Sequence, residues 1–100
     1  MATERYKPKL RWKRTQIDAR DPPTDYDWTG YDGADAIGRT RKEMHGPTKG
    51  RWHWAGWFPT IFRGKPPAPN AGYAPTCREA MQKSEEYWRK VKAVMETRSR

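Results

Sequence analysis

A chain of 100 residues, 34% apolar and 33% charged, with a mean hydropathy of −1.26, has room for one small core and excludes two domains. Lys and Arg number 21 against 12 Asp and Glu, a net charge of +9 that suits an anionic partner: nucleic acid, an acidic protein face or a phospholipid surface. A single cysteine, Cys77, excludes an intramolecular disulfide and a cysteine-built metal cage, and fits a reducing, cytoplasmic setting.

Residues 1–20 carry seven bases and two acids and include Pro8. They read as an extended basic arm with one short strand around Leu10–Arg14. The arm is Arg-rich like a mitochondrial transit peptide, but Pro8 and the scarcity of hydroxyls argue against one, and no apolar stretch suggests a Sec signal or a membrane span. Residues 21–35, DPPTDYDWTGYDGAD, hold five Asp and no base. Their Pro and Gly residues predict a loop, strapped to the core by Tyr26, Trp28 and Tyr31. Lying between two basic segments, this acidic loop is expected to fold back over basic residues and limit access to them.

From Ala36 the pattern has period two. AIGRTRKEM (36–44) and RWHWAGWF (51–58) predict two strands, and HGPTKG (45–50) predicts the turn of a β-hairpin. Alternation puts Trp52 and Trp54 on one face and Arg51, His53 and Trp57 on the other; on the first strand Ile37, Arg39 and Arg41 share a face. Residues 58–76 contain Pro59, Pro66, Pro67 and Pro69 and predict a long loop. Within it, Thr60–Arg63 reads as a strand end and Ala71–Ala74 as a short third strand. Thr76-x-x-Glu79 is a capping box opening a helix from Cys77 to about Glu96. Its apolar stripe runs through Ala80, Met81, Ser84, Trp88 and Val91; Glu85–Arg89 and Glu86–Lys90 are expected as ion pairs on the solvent side.

These elements predict an α+β fold: a small antiparallel sheet of two to three strands, in ββ(β)α order, packed on one C-terminal helix. Residues 1–35 form the arm and acidic aromatic loop, and 36–97 the domain. The helix covers the sheet face bearing Trp52 and Trp54, which leaves the other face for solvent or a partner.

No arrangement of residues points to catalysis. His45 and His53 have no identifiable acid–base partner and no ligand spacing to Cys77, so neither a metal nor a cofactor is expected. Cys77 sits in the first helical turn, where a thiolate is favoured, but it also begins the apolar stripe and reads as a buried small residue. The Asp residues lack the spacing of an EF-hand, and Gly30, Gly33 and Gly38 form no phosphate-binding loop.

The basic hairpin is the more informative feature. Arg39, Arg41, Lys42, Lys49, Arg51 and Arg63, with His53 and Trp57, fall on or near a ribbon of the kind that enters the DNA major groove, and Arg11, Lys13 and Arg14 of the arm add to it. The plainer reading is a Trp-rich core hairpin with solvated bases. The expectation is a non-enzymatic nucleic-acid-binding protein, DNA ahead of RNA. The alternative is a phage- or prophage-type accessory protein that docks an acidic partner or pairs through an edge strand.

The succession I-G-R (37–39), W-x-W (52–54), A-G-Y-A (71–74) and Thr76-x-x-Glu79-Ala80 resembles the AP2-type and phage-integrase arm-binding domain, three strands and a helix whose strands carry Arg and Trp to DNA. It is also similar to the HicB-type antitoxin domain, a hairpin followed by a helix that binds a toxin RNase. The chain looks like short alphaproteobacterial and phage proteins as well. The first resemblance implies that Arg39, Arg41, Arg51 and Trp57 face DNA.

Overall fold

The computed structural model describes residues 6–16, 20 and 24–98. It has five strands, β1 (Arg11–Arg14), β2 (Asp27–Asp32), β3 (Asp35–Lys42), β4 (Trp52–Gly56) and β5 (Ala71–Ala74), followed by one helix, α1 (Cys77–Arg98). The strands pair antiparallel in chain order, β1-β2-β3-β4-β5, and α1 packs across one face, chiefly against β3 and β4. The expected α+β layer is present, but the sheet is larger than the two to three strands read from the sequence.

The extra strands come from the arm and from the segment read as an acidic loop. Asp27–Asp32 forms β2 because its residues alternate: Trp28 and Gly30 face the helix, while Asp27, Thr29 and Tyr31 face away. Trp, Thr and Tyr suit a half-buried strand. The breakers act only at its end. Gly33, at φ 62°, is the first of two residues between the paired Asp32 and Asp35, where a tight type II′ hairpin turn places glycine. The acids are spread among cations rather than gathered in a flap. Asp25 meets Arg14 at 3.3 Å, Asp27 meets Arg39 at 2.5 Å, and Asp32 meets Lys92 at 3.3 Å; Asp21 lies outside the described residues.

A row of glycines lets the helix approach the sheet. Gly30, Gly38 and Gly56 are cross-strand neighbours; a Cβ on Gly30 would run into Trp12 and one on Gly56 into Tyr87, while one on Gly38 would run into the Ala55 carbonyl and crowd Ser84. Side chains from β1 and α1 therefore settle directly on the backbone. Ser84, fully buried, donates to the Ala55 carbonyl at 2.9 Å, which satisfies a hydroxyl that burial would otherwise penalise. Trp52, Trp54, Ile37, Trp88 and Val91 are buried around this contact, as the helix stripe predicts. Ile37 departs from its predicted face. A register shift between Gly30 and Tyr31 inserts one extra residue in β3, and this bulge returns Ile37 to the core while Arg39 and Arg41 keep the opposite side.

The helix begins as its sequence suggests, with the Thr76 hydroxyl accepting the Glu79 amide at 3.2 Å. Glu85 departs from expectation. Rather than pairing with Arg89 in solvent, it is 1% exposed. It accepts hydrogen bonds from the Tyr6 hydroxyl, the Lys9 and Leu10 amides at 3.1 and 3.0 Å, and the Trp12 indole at 2.8 Å. Burial opposes its ionisation, but these four donors outweigh it and hold the carboxyl below its ordinary pKa. Tyr6 is pushed up to about 12, first by burial and then by Glu85. The carboxylate thus fastens the arm, and with it β1, to the helix. The loop after β4 also reaches the helix, where the Tyr87 hydroxyl donates to the Pro67 carbonyl at 2.9 Å; Thr60–Arg63 is not a strand end, since Thr60 and Ile61 form a turn closed by the Phe62 amide donating to the Pro59 carbonyl at 2.9 Å.

Candidate nucleic-acid interface

Because cross-strand partners point to the same side, the register defines the face that the helix leaves open. One row runs Lys13, Thr29, Arg39, Ala55, Ala71, and the next runs Asp27, Arg41, His53, Tyr73. Towards the β2–β3 turn, Arg11 lies opposite Tyr31. The face therefore gathers Arg11 and Lys13 from β1 and Arg39 and Arg41 from β3, together with Tyr31, His53 and Tyr73.

Rings and cations are interleaved. The Arg11 guanidinium and the Lys13 ammonium stand 5.6 and 6.0 Å from the Tyr31 ring centre, within the range of cation–π attraction. His53 and Tyr73 meet edge to face at 5.3 Å and 71°. Tyr73 is 46% exposed, so its ring is open to a ligand. Two carboxylates border the same face. Asp27 accepts two hydrogen bonds from Arg39, at Nε (2.8 Å) and Nη2 (2.5 Å), and this contact raises the Arg39 pKa. Glu43 lies 4.0 Å from Arg41, whose side chain stays half exposed. The bidentate pair fixes Arg39, while Arg11, Lys13 and Arg41 keep exposed heads for phosphate.

The structure brings five of the predicted residues onto this face: Arg11, Lys13, Arg39, Arg41 and His53. Arg51 and Trp57 bracket β4 and are exposed, and Lys49 is exposed in the turn between β3 and β4. The remaining three lie elsewhere. Arg14 takes the helix side of β1, opposite Trp28, and pairs with Asp25. Lys42 also has the helix-side parity, opposite Trp52, and stands 5.3 Å over the Tyr26 ring. Arg63 belongs to the loop beyond β4. Both strand residues fall on the helix side for one reason: a cation one position along a strand from Lys13 or Arg41 points the opposite way. Tyr31 and Tyr73 were not expected in the site. The alternation Asp27-Trp28-Thr29-Gly30-Tyr31 is the signal that could have placed the first.

Cys77 is half-buried, with its sulfur 4.0 Å from the Thr40 hydroxyl, and burial pushes its thiol pKa up. Among the described residues no group of three His, Cys, Asp or Glu side chains is placed to hold a metal ion, and no helix is long and apolar enough to cross a membrane. No family model, curated protein or solved structure matches the chain.

Proposed function

We propose that this protein is a non-enzymatic nucleic-acid-binding domain whose interface is the open face of the five-stranded sheet. The observation that carries the reading is the interleaving of Arg11, Lys13, Arg39 and Arg41 with Tyr31, His53 and Tyr73 on one uncovered surface. The cations suit phosphates and the rings suit bases, a combination characteristic of nucleic-acid-binding surfaces. A solvated basic face would not require aromatic rings among its charges. Arg51, Trp57 and Lys49 border the face and extend it.

Phosphate contacts release counterions, so affinity falls linearly with salt on logarithmic axes, by about 0.7 to 0.9 in slope for each phosphate engaged. Fluorescence anisotropy of a labelled oligonucleotide across salt concentrations tests this. The expected result is micromolar or tighter binding at low salt, with a slope that becomes shallower in the Arg11→Ala, Arg41→Ala double variant. Absence of binding at low salt contradicts the reading.

A second reading, a protein-docking accessory role of the phage or prophage type, draws on a different surface. Trp57, Phe58 and Ile61 are exposed in the loop after β4, Ile61 by 69%, and would suit an apolar contact.

A further inference from the structure

We propose that the open face takes single-stranded nucleic acid, with bases stacked on Tyr31 and Tyr73 and the backbone on the cations between them; this rests on the nucleic-acid reading above. A two-stranded ribbon enters the DNA major groove, which is about 12 Å wide. Here the β3–β4 ribbon is flanked by β2 on one side and β5 on the other. Five strands at about 4.8 Å spacing form a surface roughly 19 Å across, too broad for the groove. A broad sheet face can instead receive unpaired bases on its rings, of which Tyr73 is exposed and Tyr31 is partly buried beneath Arg11 and Lys13.

Tyr31 lies on β2 near the β2–β3 turn, whereas His53 and Tyr73 lie on β4 and β5, on the row level with Asp27. Four residues along the strand and two to three strands across separate the two aromatic positions by roughly 16–20 Å. Arg39 lies on the row between them, Arg41 stands beside His53 on the strand towards Tyr31, and Arg11 and Lys13 flank Tyr31. The face therefore has a ring at each end with cations between, an order that matches a strand whose terminal bases are splayed onto the sheet while its phosphates cross the middle. In a duplex the bases are stacked inside and cannot reach either ring without being extruded. Asp27 is already held by Arg39, which reduces its repulsion of phosphates on that path.

The test compares a fluorescein-labelled thymidine 12-mer with a 12-base-pair duplex in the same buffer, using the full chain and its Tyr31→Ala, Tyr73→Ala, Tyr31→Phe and Tyr73→Phe variants, with near-UV circular dichroism to check folding. The single strand is expected to bind at least tenfold tighter than the duplex. Each Ala variant should weaken single-strand binding about 5- to 100-fold, because stacking on a ring is lost, with the salt slope unchanged; the Phe variants should retain it. Equal or tighter duplex binding, or Ala variants that bind the single strand as the parent does, overturns the single-strand proposal and leaves the nucleic-acid reading standing. Failure to bind either oligonucleotide overturns both.

Discussion

Glu85 shows how much one side chain decides. Its sequence context, in i, i+4 relation to Arg89, suggests a surface ion pair worth a few tenths of a kcal/mol. In the fold it is buried and gathers donors from the arm up to Trp12, so β1 depends on it. No local pattern reveals that, because its partners lie more than 70 residues away. Its folded pKa is below the ordinary 4.5, so its contribution to stability is complete above the unfolded-state value and drains away as pH falls through the folded one. Urea denaturation of the parent should therefore show a loss of stability from pH 6 to pH 3 that is smaller in Glu85→Gln. At pH 7 the same substitution should cost about 1.5–3 kcal/mol, the range for hydrogen bonds to a charged group. A parent and variant with parallel pH profiles would mean that the carboxylate is not the fastening. Asp27 gives the opposite kind of prediction. Asp27→Asn removes the charge that holds Arg39, so oligonucleotide affinity at low salt should rise several-fold with a steeper salt slope; unchanged affinity in an anisotropy titration would show that Arg39 lies outside the contact.

At the scale of elements, the helix and the β3–β4 hairpin were legible because each carries a strong local period. The stripe through Ala80, Ser84, Trp88 and Val91 and the alternation through Trp52 and Trp54 lead to the packed contact the structure contains. β2 was hidden because its Asp, Gly and neighbouring Pro residues suggest a loop, while the features that override them are tertiary: β1 and β3 pair on either side, Trp12 covers Gly30, and cations meet the acids. The bulge that turns Ile37 inward was likewise invisible, since it arises from the register between two strands. An isolated helix of this length is marginal in water, so α1 draws its stability mainly from the sheet. Trp88, 6% exposed, with its indole donating to Asp32 at 2.8 Å, should cost about 3–5 kcal/mol when truncated to Ala. Thr76→Ala, which removes one cap, should cost about 0.5–2 kcal/mol. Chemical denaturation ranks the two, and a Thr76→Ala variant more damaging than Trp88→Ala would contradict docking through this stripe.

At the scale of the whole molecule, basic charge is present on two surfaces that composition alone cannot separate. One is the open face of the sheet. The other is the outer side of α1, where Lys83, Arg89 and Lys90 are exposed beside Glu86. Sequence alternation put Arg39 with Arg41 and set His53 apart from Trp52 and Trp54, but that these faces coincide came from the register, and the size of that side depended on β1, β2 and β5 joining it. The two surfaces differ physically: the sheet side carries Tyr31, His53 and Tyr73 among its cations, and its carboxylates sit beside Arg39 and Arg41, whereas on the helix bases and acids are interspersed. The measurement that separates them most directly is a ¹⁵N-edited NMR titration of the full chain with a short single-stranded oligonucleotide at low salt. Amide shifts are expected to concentrate on Arg11, Lys13, Tyr31, Arg39, Arg41, His53 and Tyr73 while those of Lys83, Arg89 and Lys90 stay fixed. Shifts centred on the helix residues, with the sheet amides unmoved, would contradict the account.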